Sequence, residues 1–287
     1  MASVFPELPT QVPTSSRVSS LVITRNEFFA GVYFVACING LLGRSIYTIN
    51  LQGIQGAVLG FEMNAIVLFA CVAGILLVLS SARDRVTTLD FLVAAACLLF
   101  VALPIFPLSW VAVAALSIYV LWSANDGDQR RRGALILLAL TVPMLWSRLI
   151  FQFLANYILD ADAIMVTALL GTERFGNLVR FADGSGYMMI SPACTSFANV
   201  SFAFLCWVAV TQWAGHKWSA IDLLWSSLAC ASVIFVNVAR IALTGVSRGH
   251  YEAIHNHFME GVIGFFILCL TVAFSVFGAR RELFARA

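Results

Sequence analysis

Long apolar runs, interrupted by short clusters of charge, proline and glycine, make up most of this chain. Cutting it at those interruptions predicts about eight helices of roughly membrane-spanning length, near 28–43, 63–81, 89–104, 107–124, 133–158, 194–212, 220–245 and 260–279. The third and fourth share one uncharged run, which Pro104 and Pro107 break into a tight hairpin. Segment 45–61 is uncharged too, but Asn50, Gln52, Gly53, Gln55 and Gly56 predict a re-entrant or surface stretch there. Between the fifth and sixth runs, 160–193 forms the sizeable polar insert. Its stretches Phe175–Phe181 and Tyr187–Ile190 are β-prone and flank Asp183-Gly184-Ser185-Gly186, a turn sequence, so a small β-hairpin leading straight to residue 194 is expected. Such a hairpin either holds residue 194 rigidly or offers an edge to an extended peptide. The sequence leaves both open.

Composition moves this pattern firmly to the membrane. Of 287 residues, 61% are hydrophobic and 11% charged, against about 25% charged in soluble domains. The expected fold class is therefore an all-α polytopic membrane protein with a small β insert. Residues 1–27, rich in Pro, Ser and Thr near the start, read as a flexible cytoplasmic tail, and 28–287 as a single transmembrane domain. A net charge of +2 gives no reason to expect a nucleic-acid partner. With eight spans and a cytoplasmic amino terminus, the inner loops collect eleven of the seventeen basic residues, among them Arg25, Arg83, Arg85, Arg130, Arg131, Arg132, Arg280 and Arg281. That asymmetry orients helices, and it puts the insert and, within a candidate catalytic region of about 190–262, Cys194, Arg240 and His257 at the outer end.

Candidate chemistry gathers at that outer end. Six of seven cysteines lie inside apolar runs, where a thiol is ordinarily a small inert hydrophobe. Cys194 differs. Ser191-Pro192-Ala193-Cys194 reads as a helix start with Ser191 as N-cap and the cysteine in the first turn, where the helix dipole favours the thiolate. Arg240 and Asn237 are three residues apart and share a helix face, and an arginine in an apolar run faces a cavity or partner unless it snorkels. His257 opens the last span and suits proton transfer; His255, two residues earlier, points elsewhere on a helix. Arg148, with Gln152 four residues on, either lines the same cavity or pairs with Asp160 or Asp162. No spacing of His, Cys and carboxylates indicates a metal site, and no cofactor is expected.

With these residues in place the chain resembles the exosortase and archaeosortase family of membrane-embedded cysteine transpeptidases. The resemblance rests on Ala193-Cys194 at a helix start, Asn237-Val238-Ala239-Arg240-Ile241 one span later, and His257 with Gly261 ahead of Phe265-Phe266. It implies Cys194, Arg240 and His257 as the catalytic set, at the outer face of a bacterial inner membrane. It also implies membrane-anchored protein substrates with a carboxy-terminal sorting signal such as Pro-Glu-Pro, and a glycan, lipid or water as acceptor. One departure stands out: Cys194-Thr195-Ser196 replaces the family's common Cys-Ser-Gly. The alternative reading is a non-catalytic transporter or membrane assembly subunit in which Arg148, Arg240 and His257 line a polar path.

Overall fold

The computed structural model describes residues 23–59, 65–81, 84–105, 107–124, 128–217, 219–254 and 257–280, without the side chains of 44–59, Ala193, His257, Phe258 and Glu260. Residues 1–22 of the expected tail and His255 lie outside the described residues. Ten helices follow: α1 (Arg25–Leu59), α2 (Ala65–Leu79), α3 (Thr88–Ala102), α4 (Pro107–Ser123), α5 (Gln129–Thr141), α6 (Ser147–Leu170), α7 (Ser196–Ala214), α8 (Ala220–Thr244), α9 (Arg248–Ile254) and α10 (His257–Gly278). Local signals fix several ends. Thr87 and Asp90 form a capping box at α3, Ser219 and Asp222 another at α8, and Gly171 and Gly215 close α6 and α7 with φ of 67° and 72°.

Among the described residues, five helical runs are long and apolar enough to cross a membrane: Arg25–Gly43, Gln129–Leu170, Ser196–Ala214, Ala220–Thr244 and Gly261–Gly278. The other three expected spans are shorter. α2, α3 and α4 have 15, 15 and 17 residues, where about 20 are needed to cross 30 Å of hydrocarbon. Helix α2 meets α5 almost backbone to backbone. A Cβ added to Gly133 would sit 2.5 Å from the Gly74 carbonyl, and one added to Gly74 2.6 Å from Leu137. Only small residues permit that approach.

Three sequence expectations need correction. Segment 45–61 is not one of them: its described part, to Leu59, continues α1 as helix, since glycine weakens a helix without breaking it, while the apolar stretch long enough to cross a membrane ends at Gly43. The fifth apolar run is longer than 133–158. It starts at Gln129 and passes through a π-helical turn, Val142–Trp146, and a non-helical residue, Leu154 (φ −115°, ψ 16°), to Leu170. Pro143 lacks the N–H that the helical ladder needs, which places the π turn. The insert accordingly begins at Gly171, not 160, because Asp160 and Asp162 still lie in α6. Instead of one hairpin, the insert holds a three-stranded antiparallel sheet in the order β1-β2-β3: β1 (Arg174–Phe175), β2 (Leu178–Arg180) and β3 (Tyr187–Met189). Gly176, at φ 59°, makes the additional turn.

Two cores result. The larger joins α1–α5 with α7 around Phe29, Tyr33, Trp110, Leu137 and Trp207. The smaller seals α6, the sheet and α8 around Val166, Val179, Met188, Ile190, Val238 and Ile241. A polar clamp marks one end of the bundle. Fully buried Asp90 accepts from Arg25 at 2.8 Å and from the Tyr119 hydroxyl at 2.7 Å, while Arg130 pairs with Asp84 and Asp128. At the same end Arg132 donates to the carbonyls of Gln212 and Trp213, the last turn of α7. Because α7 starts at Ser196, its length of 19 residues, about 28 Å, separates the clamp from Cys194.

Candidate active site

Cys194 is presented by a single 3₁₀ turn, Pro192–Cys194, and not by the first turn of α7. The N-cap of α7 is Thr195, whose hydroxyl accepts from the Phe197 amide at 3.2 Å. Two hydroxyl residues competed for the cap and the later one won. Ser191 instead donates its hydroxyl to the Cys194 sulfur at 3.4 Å. The strand leading in is pinned by Asn177: its carbonyl accepts from Ile190 N–H, and its side-chain amide donates to the Ile190 carbonyl, both at 3.0 Å.

Asn237 and Arg240, on one face of α8, both reach the main chain of Cys194. The fully buried Asn237 amide donates to the Cys194 carbonyl at 2.8 Å and to Ser196 Oγ at 3.0 Å, and its oxygen accepts from Asn199 at 3.5 Å. Arg240, half-buried, contacts the same Cys194 carbonyl at 3.5 Å. Among the described residues no carboxylate pairs with it. Cys194 and Arg240 line one cavity of about 690 Å³, walled by residues 185–191, the end of α8, and Arg248, Tyr251 and Ile254 of α9.

The backbone amides from Cys194 to Phe197 are already committed. Cys194 N–H goes to the Ser191 carbonyl at 3.0 Å, Thr195 N–H to Pro192 at 3.5 Å, Ser196 N–H to the Asp162 carboxylate at 3.0 Å, and Phe197 N–H to Thr195. A charged donor beside Cys194 is the Arg240 guanidinium, which carries five N–H groups in a fixed fork. The departure at Thr195-Ser196 thus has a structural account: one residue caps α7 and the other accepts from Asn237.

Asp162 adjoins the candidate site, where the sequence points to it only as a possible partner for Arg148. It is buried, and as the acceptor for an N-terminal amide of α7 it complements the helix dipole. An aspartate inside an apolar run was the available signal. Its neighbour Asp160 engages Arg174. Arg148, at the start of α6, is half-buried and does not line the cavity. His257 is the first residue of α10, and its side chain, like all of His255, lies outside the described residues. Among the described residues no group of three His, Cys, Asp or Glu side chains is placed to hold a metal.

The sheet is docked onto α8 by main-chain bonds, Ala182 N–H to Gly245 O at 3.0 Å and Asp183 N–H to Val246 O at 3.2 Å. Gly245 is required by space: a Cβ there would lie 2.5 Å from Leu170 and 2.7 Å from Met188. Phe181 stacks edge-on to Tyr251, with ring centroids 6.5 Å apart, fastening α9 to the same wall. In comparisons with known proteins, no family model, curated protein or solved structure matches the chain.

Proposed function

We propose that the protein is an exosortase-like cysteine peptidase or transpeptidase acting on the carboxy-terminal sorting tail of exported, membrane-anchored proteins. The observation that carries this reading is the shared cavity of Cys194 and Arg240, with the guanidinium beside a cysteine whose own amide and the three that follow are engaged. In this reading the Cys194 thiolate attacks a peptide carbonyl carbon. The oxyanion is held by Arg240, the C–N bond breaks, and the leaving amine takes a proton from His257. The product is a thioester on Cys194. An amine or hydroxyl of a glycan or lipid, or water, then attacks that carbonyl, giving its proton to His257 and releasing the thiolate. Ser191 orients the sulfur through a contact that strengthens when the sulfur is charged.

The chain crosses a bacterial inner membrane eight times in this reading, with α2–α4 as short spans in a locally thinned bilayer. Both termini are then cytoplasmic and the sheet lies on the outer side. The clustering of Arg25, Arg130 and Arg132 at the end away from Cys194 supports that orientation.

The test is processing of a co-expressed reporter carrying a Pro-Glu-Pro tail, a transmembrane helix and a basic cluster. Cys194→Ala abolishes the size shift, and Arg240→Ala slows it by about 10²–10³, the usual cost of an oxyanion donor. Processing that persists in well-expressed Cys194→Ala removes the enzyme reading in favour of a non-catalytic transporter or assembly subunit.

A further inference from the structure

The edge of β3 is open, and it faces the thiol. In the β2–β3 pair, Gly186 O accepts from Phe181 and Ile190 N–H donates to Asn177 O, with Val179 opposite Met188. Main-chain groups alternate direction along an antiparallel strand. Residues 186, 188 and 190 therefore turn their groups toward β2, and Tyr187 and Met189 turn theirs away. β3 is the last strand of the sheet, so among the described residues those groups have no strand to pair with. The cavity takes in this edge, with Phe181, one residue past β2, also in its lining. It is walled by every residue from Ser185 to Ser191, but by none of β2. The same strand runs through Ser191 into the Cys194 turn, so a chain laid along it ends at the sulfur.

We infer that the edge of β3 binds the substrate as an added strand: an extended peptide pairs with the main chain of Tyr187 and Met189 and so delivers its carbonyl to Cys194. This deepens the proposed function and rests on it. The occupant is a peptide because the edge offers an N–H and C=O ladder that only another main chain matches. It carries an acidic side chain near the reacting bond, because the described cavity lining holds Arg240 and Arg248 and no carboxylate, Glu252 meeting Arg248 from outside the lining at 3.6 Å. Specificity then comes from alternate positions of the peptide, those whose side chains fall on the cavity side.

The test uses the full-length protein in detergent and thiol-reactive probes, acetyl-Ala chloromethyl ketone and acetyl-Ala-Glu-Ala-Ala chloromethyl ketone. In either reaction the Cys194 sulfur bonds to the methylene carbon, chloride leaves, and the thiol proton passes to buffer; mass spectrometry gives the rate. Two ladder bonds make the tetrapeptide about tenfold faster than the single residue. Replacing its amides one at a time by esters removes that gain at every second position. Met189→Pro, which deletes an N–H on the open edge while leaving the β2 side intact, removes the gain, so that the two probes then react at the same rate. Rates independent of probe length, or ester effects without alternation on the wild-type protein, overturn the added strand. Reporter processing separates the two failures. If it still requires Cys194 while the probes show no pattern, only the strand addition falls; if it survives Cys194→Ala, the enzyme reading falls.

Discussion

Asn237 shows what single residues do at this site. Its amide spends both donors on the Cys194 turn and the α7 cap, and it is fully buried. Asn237→Ala takes the donor from Ser196 Oγ and leaves the Cys194 carbonyl only its 3.5 Å contact with Arg240, and about 1–3 kcal/mol of stability is lost, measurable as a lower thermal midpoint in detergent, together with slower processing. Arg240→Lys keeps charge but loses the fork, so processing falls while the midpoint holds. Asp183 supplies a pH effect outside the spans. The Ser185 hydroxyl and amide hold its carboxyl below the ordinary carboxylate value. A depressed folded-state pKa means the contribution is present above the unfolded value, about 3.9, and disappears as pH falls through the lower folded value. An NMR titration of the Asp183 carboxyl carbon checks it: a midpoint at or above the unfolded value contradicts the turn. Asn237 and Arg240 were legible as polar residues three apart in an apolar run. Ser191 was misplaced as a helix cap because two hydroxyl residues stand within five positions and sequence cannot rank them. Asp162 was seen only as a possible partner for Arg148.

Elements show the same division. Apolar runs with proline or glycine at their ends were readable because burial and capping are local. Lengths were not. The reading ended the fifth run at 158, though neither Asp160 nor Asp162 stops a helix when one carboxylate reaches an arginine and the other an amide. The insert became three strands because Gly176 turns the chain within what reads as one β-prone stretch. The docking of sheet on α8 was invisible in sequence, since it uses main-chain groups of 182–183 and 245–246. Gly245→Ala tests it. The added methyl meets Leu170 and Met188, and overpacking of this kind costs about 1–3 kcal/mol. The expected result is a lower thermal midpoint with faster hydrogen exchange at Ala182 and Asp183, and no change at those two amides would contradict the docking.

The whole molecule has two unlike ends, an arginine clamp and a sheet with a cysteine, held apart by α7. In a Cys194→Ala background, Ser185→Cys should react with a membrane-impermeant maleimide in intact cells, and Ser81→Cys only after permeabilisation. Equal labelling would remove the proposed orientation. Two helical paths join these ends. From the Arg132 contact to the Asp162 contact, thirty residues of helix give about 45 Å of contour, while α7 covers the span from Gln212 to Ser196 with sixteen, about 24 Å. Fastened at both tips to a shorter member, the longer one must bow, and the π turn and Leu154 are where it flexes. The pair behaves as a drawn bow and its string: straightening the limb would pull Asp162 off the tip of α7, so the posture of the cysteine turn is set by a bend that lies well away from it.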